Sequence, residues 1–152
     1  MALLPTPLRQ SLRKAAPWAA LVFLVLLGAI QLIPYGMDHR RAPEPNPFKW
    51  RAPEAEALAK AACYDCHSNE TVWWWAVKIA PFSWLAQSDI DEAKGKVNFS
   101  DWNGRLTGPR LRRALDHGMP PWYYSIAHPH TRLTEAQKQT LVDGFQASLP
   151  KP

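Results

Sequence analysis

The sequence predicts an all-α protein, in which one N-terminal membrane-spanning helix precedes a small domain of four short helices. Three observations support this fold class. Residues 15 to 37 form one uncharged, mostly apolar run, four later stretches carry helix start and stop signals, and no stretch has the pattern of a strand. The chain has 15 prolines, so we expect its helices to be short and interrupted by turns.

The N-terminal run is the first predicted element. Its centre, "WAALVFLVLLGAIQLIPYG", is apolar except for Gln31, and about 20 such residues cross a bilayer as a helix. Trp18 and Tyr35 stand at its ends, where interfacial aromatic residues are enriched. A cleaved signal peptide is the alternative, but its apolar core is usually only about 7–15 residues long, and no A-x-A cleavage site follows. We therefore predict an uncleaved anchor over residues 15–37, preceded by an N-terminal tail of residues 1–14.

A proline-rich stretch follows the anchor. Pro43, Pro45 and Pro47 alternate in "RAPEPNPFKW", and this pattern favours extended, polyproline-like chain. We predict a semi-rigid spacer over residues 38–52 and a folded domain over residues 53–152.

Three helices are predicted in the first part of the domain. "PEAEALAKAAC" has proline in its first turn, early acidic residues and many alanines. "SWLAQSDIDEAKG" begins at a possible Ser83 cap and ends at Gly95, and "TGPRLRRALDHG" begins at a Thr107 cap and ends at Gly118.

The fourth helix is predicted from "TEAQKQTLVDGFQASLP". Thr134 and Gln137 form a capping box, and Leu141, Phe145 and Leu149 make an apolar stripe. Four short helices bury only a small core. A covalent cross-link or a bound metal or cofactor would therefore add to the stability of such a domain.

The charge pattern argues against one class of partner. The formal net charge is +5, and the one tight basic cluster is Arg110, Arg112 and Arg113. A nucleic-acid surface would need a denser basic stripe, so we interpret the cluster as a solvated helix face and expect no nucleic-acid partner.

The two cysteines carry the strongest motif. Cys63, Cys66 and His67 form C-x-x-C-H, the attachment signature of c-type haem. Two thiols three residues apart can reach the two vinyl groups on one edge of the porphyrin, and the next residue then places its imidazole beneath the iron. This pattern predicts one covalent haem c, with His67 as the proximal ligand.

Three alternatives compete for the same motif. A thioredoxin-like pair would need a βαβ context, which the sequence lacks. A structural disulfide gives His67 no role. A zinc site needs four ligands, and only the distant His117, His128 or His130 could complete it.

Aromatic residues crowd the stretch after the motif. Trp73, Trp75 and Trp84 are candidates for packing on the haem face, because a small domain must cover a large apolar ring. Three adjacent tryptophans cannot all face it, so some of Trp73, Trp74 and Trp75 are instead core residues or an exposed patch for membrane or partner contact.

The sixth iron ligand is predicted from the loop "DHGMPPWYY". Met119 follows a helix end and precedes two prolines, which stiffen the loop that would hold its thioether over the ring. His117 is the next candidate, with a helix-terminal role as the alternative. We interpret His128 and His130 as hydrogen-bonding loop residues.

An ordered set of segments resembles a known family. "CYDCHSNET", "IAPFSWL", "VNFSDW", "MPPWYY" and "HPHTRLT" are similar to the bacterial haem-binding-domain family of small membrane-anchored c-type cytochromes, over about residues 40 to 149. The resemblance implies a helical cytochrome-c-like fold, haem on Cys63 and Cys66, and His67 as proximal ligand. It supports Met119 as distal ligand less firmly. The family's Trp-Pro-Trp-Tyr-like run is replaced here by residues 73–76, "WWWA".

The expected function is that of an electron carrier rather than an enzyme. We expect a membrane-anchored monohaem cytochrome that needs no small-molecule substrate and exchanges electrons with redox proteins. Haem attachment outside the cytoplasm implies a bacterial inner-membrane protein with residues 1–14 inside and the domain in the periplasm. The alternatives are a sensor or peroxidase with an open or displaceable sixth ligand, and a haem subunit of a larger membrane complex.

Overall fold

A computed structural model describes residues 6 to 150, without the side chains of residues 6–9, 11 and 12. Parts of two predicted regions, residues 1–5 of the N-terminal tail and residues 151–152 of the domain, lie outside the described residues. Residues 6–150 contain no strand, and their helices confirm the all-α fold class. The α-helices are α1 (Thr6–Ile30), α2 (Pro53–Ala62), α3 (Tyr64–His67), α4 (Phe82–Lys96), α5 (Gly108–Asp116), α6 (Trp122–Ala127) and α7 (Glu135–Ser148), with short 3-10 helices at Trp75–Lys78 and Pro129–Thr131.

The chain forms two compact units. The first, the anchor unit, comprises the chain up to Asp38 together with Trp74–Ala86. The second, the cavity unit, comprises His39–Trp73 and the chain from Gln87 onward.

In the anchor unit, α1 is the one helix among the described residues that is long and apolar enough to cross a membrane. Its apolar window is Arg13–Ile30, and none of that window is buried. The helix ends at Ile30, so residues 31–37 of the predicted span lie in turns and irregular chain.

Some of the predicted helix boundaries are confirmed and others are wrong. The Thr134–Gln137 capping box is present at the start of α7, with both reciprocal bonds formed. Thr107 occupies the N-cap of α5, but the predicted cap bond is absent there because its side chain accepts no hydrogen bond from the helix. The predictions for α4 were wrong at both ends. The helix begins at Phe82, so Ser83 lies in its first turn, and it continues through Gly95 to Lys96, since Gly95 does not adopt the positive φ of a helix stop.

The core of the cavity unit is an aromatic cluster enclosed by α2, α5 and α7. Its members are Phe48, Tyr64, Phe99 and Phe145, with Trp50 and Trp102 packed against them. Phe48 and Trp50 come from the stretch that the sequence assigned to the spacer. The backbone N–H of Phe48 donates to the carbonyl of Phe99 at 2.7 Å, which ties this stretch into the domain.

Close contact between α2 and α7 completes this core. Ala55 and Ala59 of α2 are fully buried. A Cβ at Gly144 of α7 would lie 2.3 Å from the Cβ of Ala55, so only glycine allows the two helices to approach this closely.

Candidate functional site

One apolar cavity brings together the four residues that the sequence predicts to attach the haem or ligate its iron. Its volume is about 330 Å³, which lies within the roughly 300–1,000 Å³ typical of ligand pockets. Cys63, Cys66, His67 and Met119 all line it. Most of the remaining wall comes from α4, α5, α6, the 97–106 stretch and the loop between α5 and α6. Much of its apolar surface is supplied by Val97, Phe99, Leu106, Leu111, Leu115 and Pro120.

The cysteine pair lies where one short helix follows another. Cys63 ends α2, and the backbone N–H groups of Cys66 and His67 both donate to the carbonyl of Cys63. Both side chains are free thiols and half-buried. Burial raises the pKa of the Cys63 thiol to about 12 and that of Cys66 to about 11, so both are protonated at neutral pH.

The His67 imidazole is held by the segment that follows α4. Its Nδ1 lies 3.0 Å from the carbonyl oxygen of Val97, while the N–H of Phe99 donates to the His67 carbonyl at 2.7 Å. An Nδ1–H that donates to Val97 leaves Nε2 with a free lone pair, which is the tautomer a metal ligand requires. Burial lowers the pKa of His67, which favours this neutral form.

Met119 reaches the cavity from the loop between α5 and α6. Its backbone N–H donates to the carbonyl of Ala114 at 3.0 Å, and its side chain remains 43% exposed. His117, the alternative distal ligand, is exposed, and its Nδ1 lies 2.8 Å from the carbonyl oxygen of Arg113. Among the described residues, His117, His128 and His130 are not part of the cavity wall.

One hydrogen-bonded pair at the site, Asp65 and Tyr124, was missed by sequence reasoning. Asp65 lies between the two cysteines and accepts hydrogen bonds from the hydroxyl of Tyr124 at 2.5 Å and the N–H of Val72 at 3.0 Å. Tyr124 also stacks on His128, with ring centroids 4.3 Å apart. Its pKa is raised, first by burial and then by the bond to Asp65, so its hydroxyl stays a donor. The pair ties α6 to the C-x-x-C-H turn.

A second tyrosine–aspartate pair stands beside the first. The exposed Tyr123 hydroxyl donates to Asp89 of α4 at 2.9 Å, and both residues line the cavity. The run "MPPWYY" was the signal available in the sequence, because two tyrosines directly follow the Met119 loop. Nothing in the sequence pattern showed that their partners would be Asp65 and Asp89.

The tryptophans predicted to pack on the haem lie in different places. Trp73 belongs to the cavity unit, outside the residues of the cavity wall, and packs against His39 with ring centroids 4.5 Å apart. Trp75 and Trp84 belong to the anchor unit. Trp75 is 64% exposed, whereas Trp84 is half-buried and its indole nitrogen has no hydrogen-bond partner within the described part of the chain. Haem contact by any of the three stays a prediction.

The donor set of the cavity suits haem better than a free metal ion. It offers two thiols and an imidazole on the C-x-x-C-H turn, a thioether on a separate loop, and a largely apolar wall. Within residues 6–150, no three His, Cys, Asp or Glu residues come together as a metal-binding group, so a zinc ion would find no full set of four ligands there.

Of three comparisons with known proteins, the comparison with family profiles gave a match. No curated protein and no solved structure matches the chain. The sequence profile of the haem-binding domain matches residues 25–147, which is most of the chain and includes the cavity, the cysteine pair and the Met119 loop. The chain is therefore a haem-binding protein and belongs to the haem-binding domain family.

Proposed function

We propose that this protein is a membrane-anchored, monohaem c-type cytochrome that carries single electrons. The observation that supports this best is the shared cavity wall of Cys63, Cys66, His67 and Met119. In the proposal, Cys63 and Cys66 would hold one haem through two thioethers, each formed by addition of a thiol S–H across a vinyl group. His67 is the proximal ligand and Met119 the distal one.

The residues around the cavity have distinct roles in this proposal. When bound, the haem supplies a one-electron couple between ferric and ferrous iron. The Val97 carbonyl orients His67 through Nδ1 and leaves Nε2 for the iron. The Met119 thioether would favour ferrous iron and so raise the reduction potential, and the apolar wall would lower the dielectric around the haem.

The proposed membrane helix determines where in the cell the protein lies. In the proposal, α1 crosses the bacterial inner membrane once with the N-terminus inside, and the cavity unit lies in the periplasm, where c-type haem is attached. Holding the carrier at the membrane raises its effective concentration near the redox proteins that donate and accept the electron. No substrate bond has to change, and neither a small-molecule substrate nor a nucleic acid takes part.

Replacing the distal ligand tests the function most directly. The wild-type ferric protein should be low-spin, with the weak long-wavelength absorption of methionine-ligated haem. In Met119→Ala that absorption should disappear, carbon monoxide should bind the ferrous form, and the reduction potential should fall. His117→Ala is the matched control, because this exposed neighbour should leave the spectrum and the potential unchanged.

The same spectra separate the carrier from the alternatives. A wild type that is high-spin and binds carbon monoxide readily would favour a gas sensor or peroxidase with an open sixth position. A low-spin spectrum that survives Met119→Ala would contradict methionine ligation, and its loss in His117→Ala would assign the ligand to that histidine.

Attachment and anchoring have separate tests. On a denaturing gel stained for haem, the wild-type band should stay stained and Cys66→Ala should lose most of the stain. Membranes washed at high salt and alkaline pH should retain the full-length protein. A soluble form that begins after residue 30 would instead identify α1 as a cleaved signal.

A further inference from the structure

A hydrogen-bonded bridge closes the end of α1. Gln31 follows the last helical residue, and its Oε1 accepts from the N–H of Ala80 at 3.0 Å while its Nε2 donates to the Ala80 carbonyl at 3.1 Å. The same Nε2 also donates to the carbonyl of Leu27 at 3.0 Å. One amide side chain therefore fixes the 74–86 segment of the anchor unit to the end of the apolar helix.

The bridged segment exposes an unusual amount of apolar surface. We name it the aromatic collar: Trp74, Trp75, Ile79, Phe82 and Leu85, whose exposed fractions run from 46% to 64%. Ala80, at its centre, is 1% exposed and holds the bridge to Gln31. Clustered exposed apolar side chains of this kind mark a contact with a membrane or another protein.

We propose that the aromatic collar lies in the interfacial layer of the bilayer that α1 spans, in contact with phospholipid. This inference rests on the proposed anchoring of α1. A helix rises about 1.5 Å per residue, so the Gln31–Ala80 bridge lies within one turn of Ile30, where α1 and its apolar window end. Tryptophan and phenylalanine suit that depth, because their rings bury in the boundary between headgroups and acyl chains.

Three features favour lipid over a partner protein as the occupant. The collar is continuous with the apolar helix of its own unit, so one bilayer can cover both. The backbone N–H and carbonyl of Ala80 are both paired with the Gln31 side chain, which removes the penalty of placing this backbone amide near hydrocarbon. Lys78, exposed within the collar, adds a positive charge that suits anionic headgroups.

Photochemical labelling by lipid tests the inference. Full-length holoprotein would be placed in nanodiscs of phosphatidylcholine and phosphatidylglycerol containing a phospholipid with a diazirine near the glycerol backbone, and adducts would be located by mass spectrometry. We expect adducts on α1 and on the collar. In Gln31→Ala, the collar adducts should fall several-fold while those on α1 remain.

Internal controls make the result specific. Trp122 and Ile126 of α6 are 74% and 61% exposed in the cavity unit, so their labelling reports general insertion of exposed apolar residues and should not change in Gln31→Ala. If Gln31→Ala does not fold, as judged by haem absorbance, the double variant Phe82→Ser, Leu85→Ser removes exposed collar surface instead. Adducts on Ile79 should then fall.

The outcomes distinguish this inference from the proposed function. Adducts on α1 with none on the collar would overturn the inference and leave the anchor intact. Labelling of α6 equal to that of the collar would overturn it as well, because the contact would then be unspecific. A chain without adducts on α1 would refute the anchor itself, and the inference with it.

Discussion

Aromatic residues serve opposite purposes in the two units of this protein. In the cavity unit, Phe48, Phe99 and Phe145 pack ring against ring, with the Phe48 and Phe145 centroids 5.2 Å apart and Phe145 fully buried. In the anchor unit, Phe82 is 60% exposed and Trp75 is 64% exposed. The number of aromatic residues in a stretch therefore does not show whether they form core or surface.

The neighbours of each aromatic group explain the difference. Small residues on facing helices, Ala55 of α2 and Gly144 of α7, let the backbones approach and enclose the rings of the cavity unit. The 74–86 segment instead contains the short 3-10 helix Trp75–Lys78 and the first turn of α4, and Ala80 is its only buried apolar residue. Whether an aromatic ring is buried therefore depends on the residues that pack against it.

The largest expected effect compares one phenylalanine from each region. Phe145→Ala should lower the free energy of unfolding by about 3–5 kcal/mol, because it removes a fully buried ring and leaves a cavity. Phe82→Ala should change it by less than about 0.5 kcal/mol in detergent, because the ring is already exposed. Denaturant titration of the holoprotein measures both. Similar losses in the two variants would show that the comparison between the regions is mistaken.

A second pair of variants tests how closely α2 and α7 approach. Gly144→Ala should cost about 1–3 kcal/mol, since the new Cβ would lie 2.3 Å from Ala55 and 2.9 Å from Ala52. Gly95→Ala of α4 should instead gain up to about 1 kcal/mol, because nothing lies within 4 Å of its Cβ position and alanine favours helix. The midpoint temperature of thermal unfolding should fall in Gly144→Ala and rise in Gly95→Ala. An unchanged or higher unfolding temperature in Gly144→Ala would show that the helix contact has room for a methyl group.

Some local signals predicted helix ends correctly, whereas the Ser83 start and the Gly95 stop of α4 were wrong. The capping box of Thr134 and Gln137 joins positions three apart, and proline in the first turn of α2 fixes its own backbone, so both were visible in the sequence. The core role of Phe48 was not, because its backbone partner is Phe99 and the alternating prolines around it favour an extended linker. Contacts between distant stretches have no periodic signature.

The same distinction holds for the site. The C-x-x-C-H motif is local, and it predicted the cysteines and His67 together. Met119 was predicted from the stiff loop around it, and the structure brings it to the same cavity wall. The Asp65–Tyr124 bond joins residues 59 apart, and sequence reasoning had no means to pair them.

The smallest expected effect concerns aromatic residues of intermediate burial. Tyr124→Phe should cost about 1 kcal/mol, because it removes a part-buried hydrogen bond to Asp65 and leaves a carboxylate oxygen without its donor. Tyr123→Phe should cost only a few tenths, because its bond to Asp89 is exposed to competing water. The two neighbours therefore form a matched pair in which burial is the main variable.

The Asp65–Tyr124 bond should also affect the proposed iron ligation. Asp65 stands two residues before His67, and α6 begins three residues after Met119, so the bond holds together the two segments that carry the proposed ligands. On heating the ferric protein, the long-wavelength absorption of methionine-ligated haem should disappear at a lower temperature in Tyr124→Phe than in Tyr123→Phe. If Tyr124→Phe loses stability while that absorption persists to the wild-type temperature, the bond serves the fold alone. If neither property changes, a water or a neighbouring group replaces the hydroxyl, and α6 is held to the C-x-x-C-H turn by its packing.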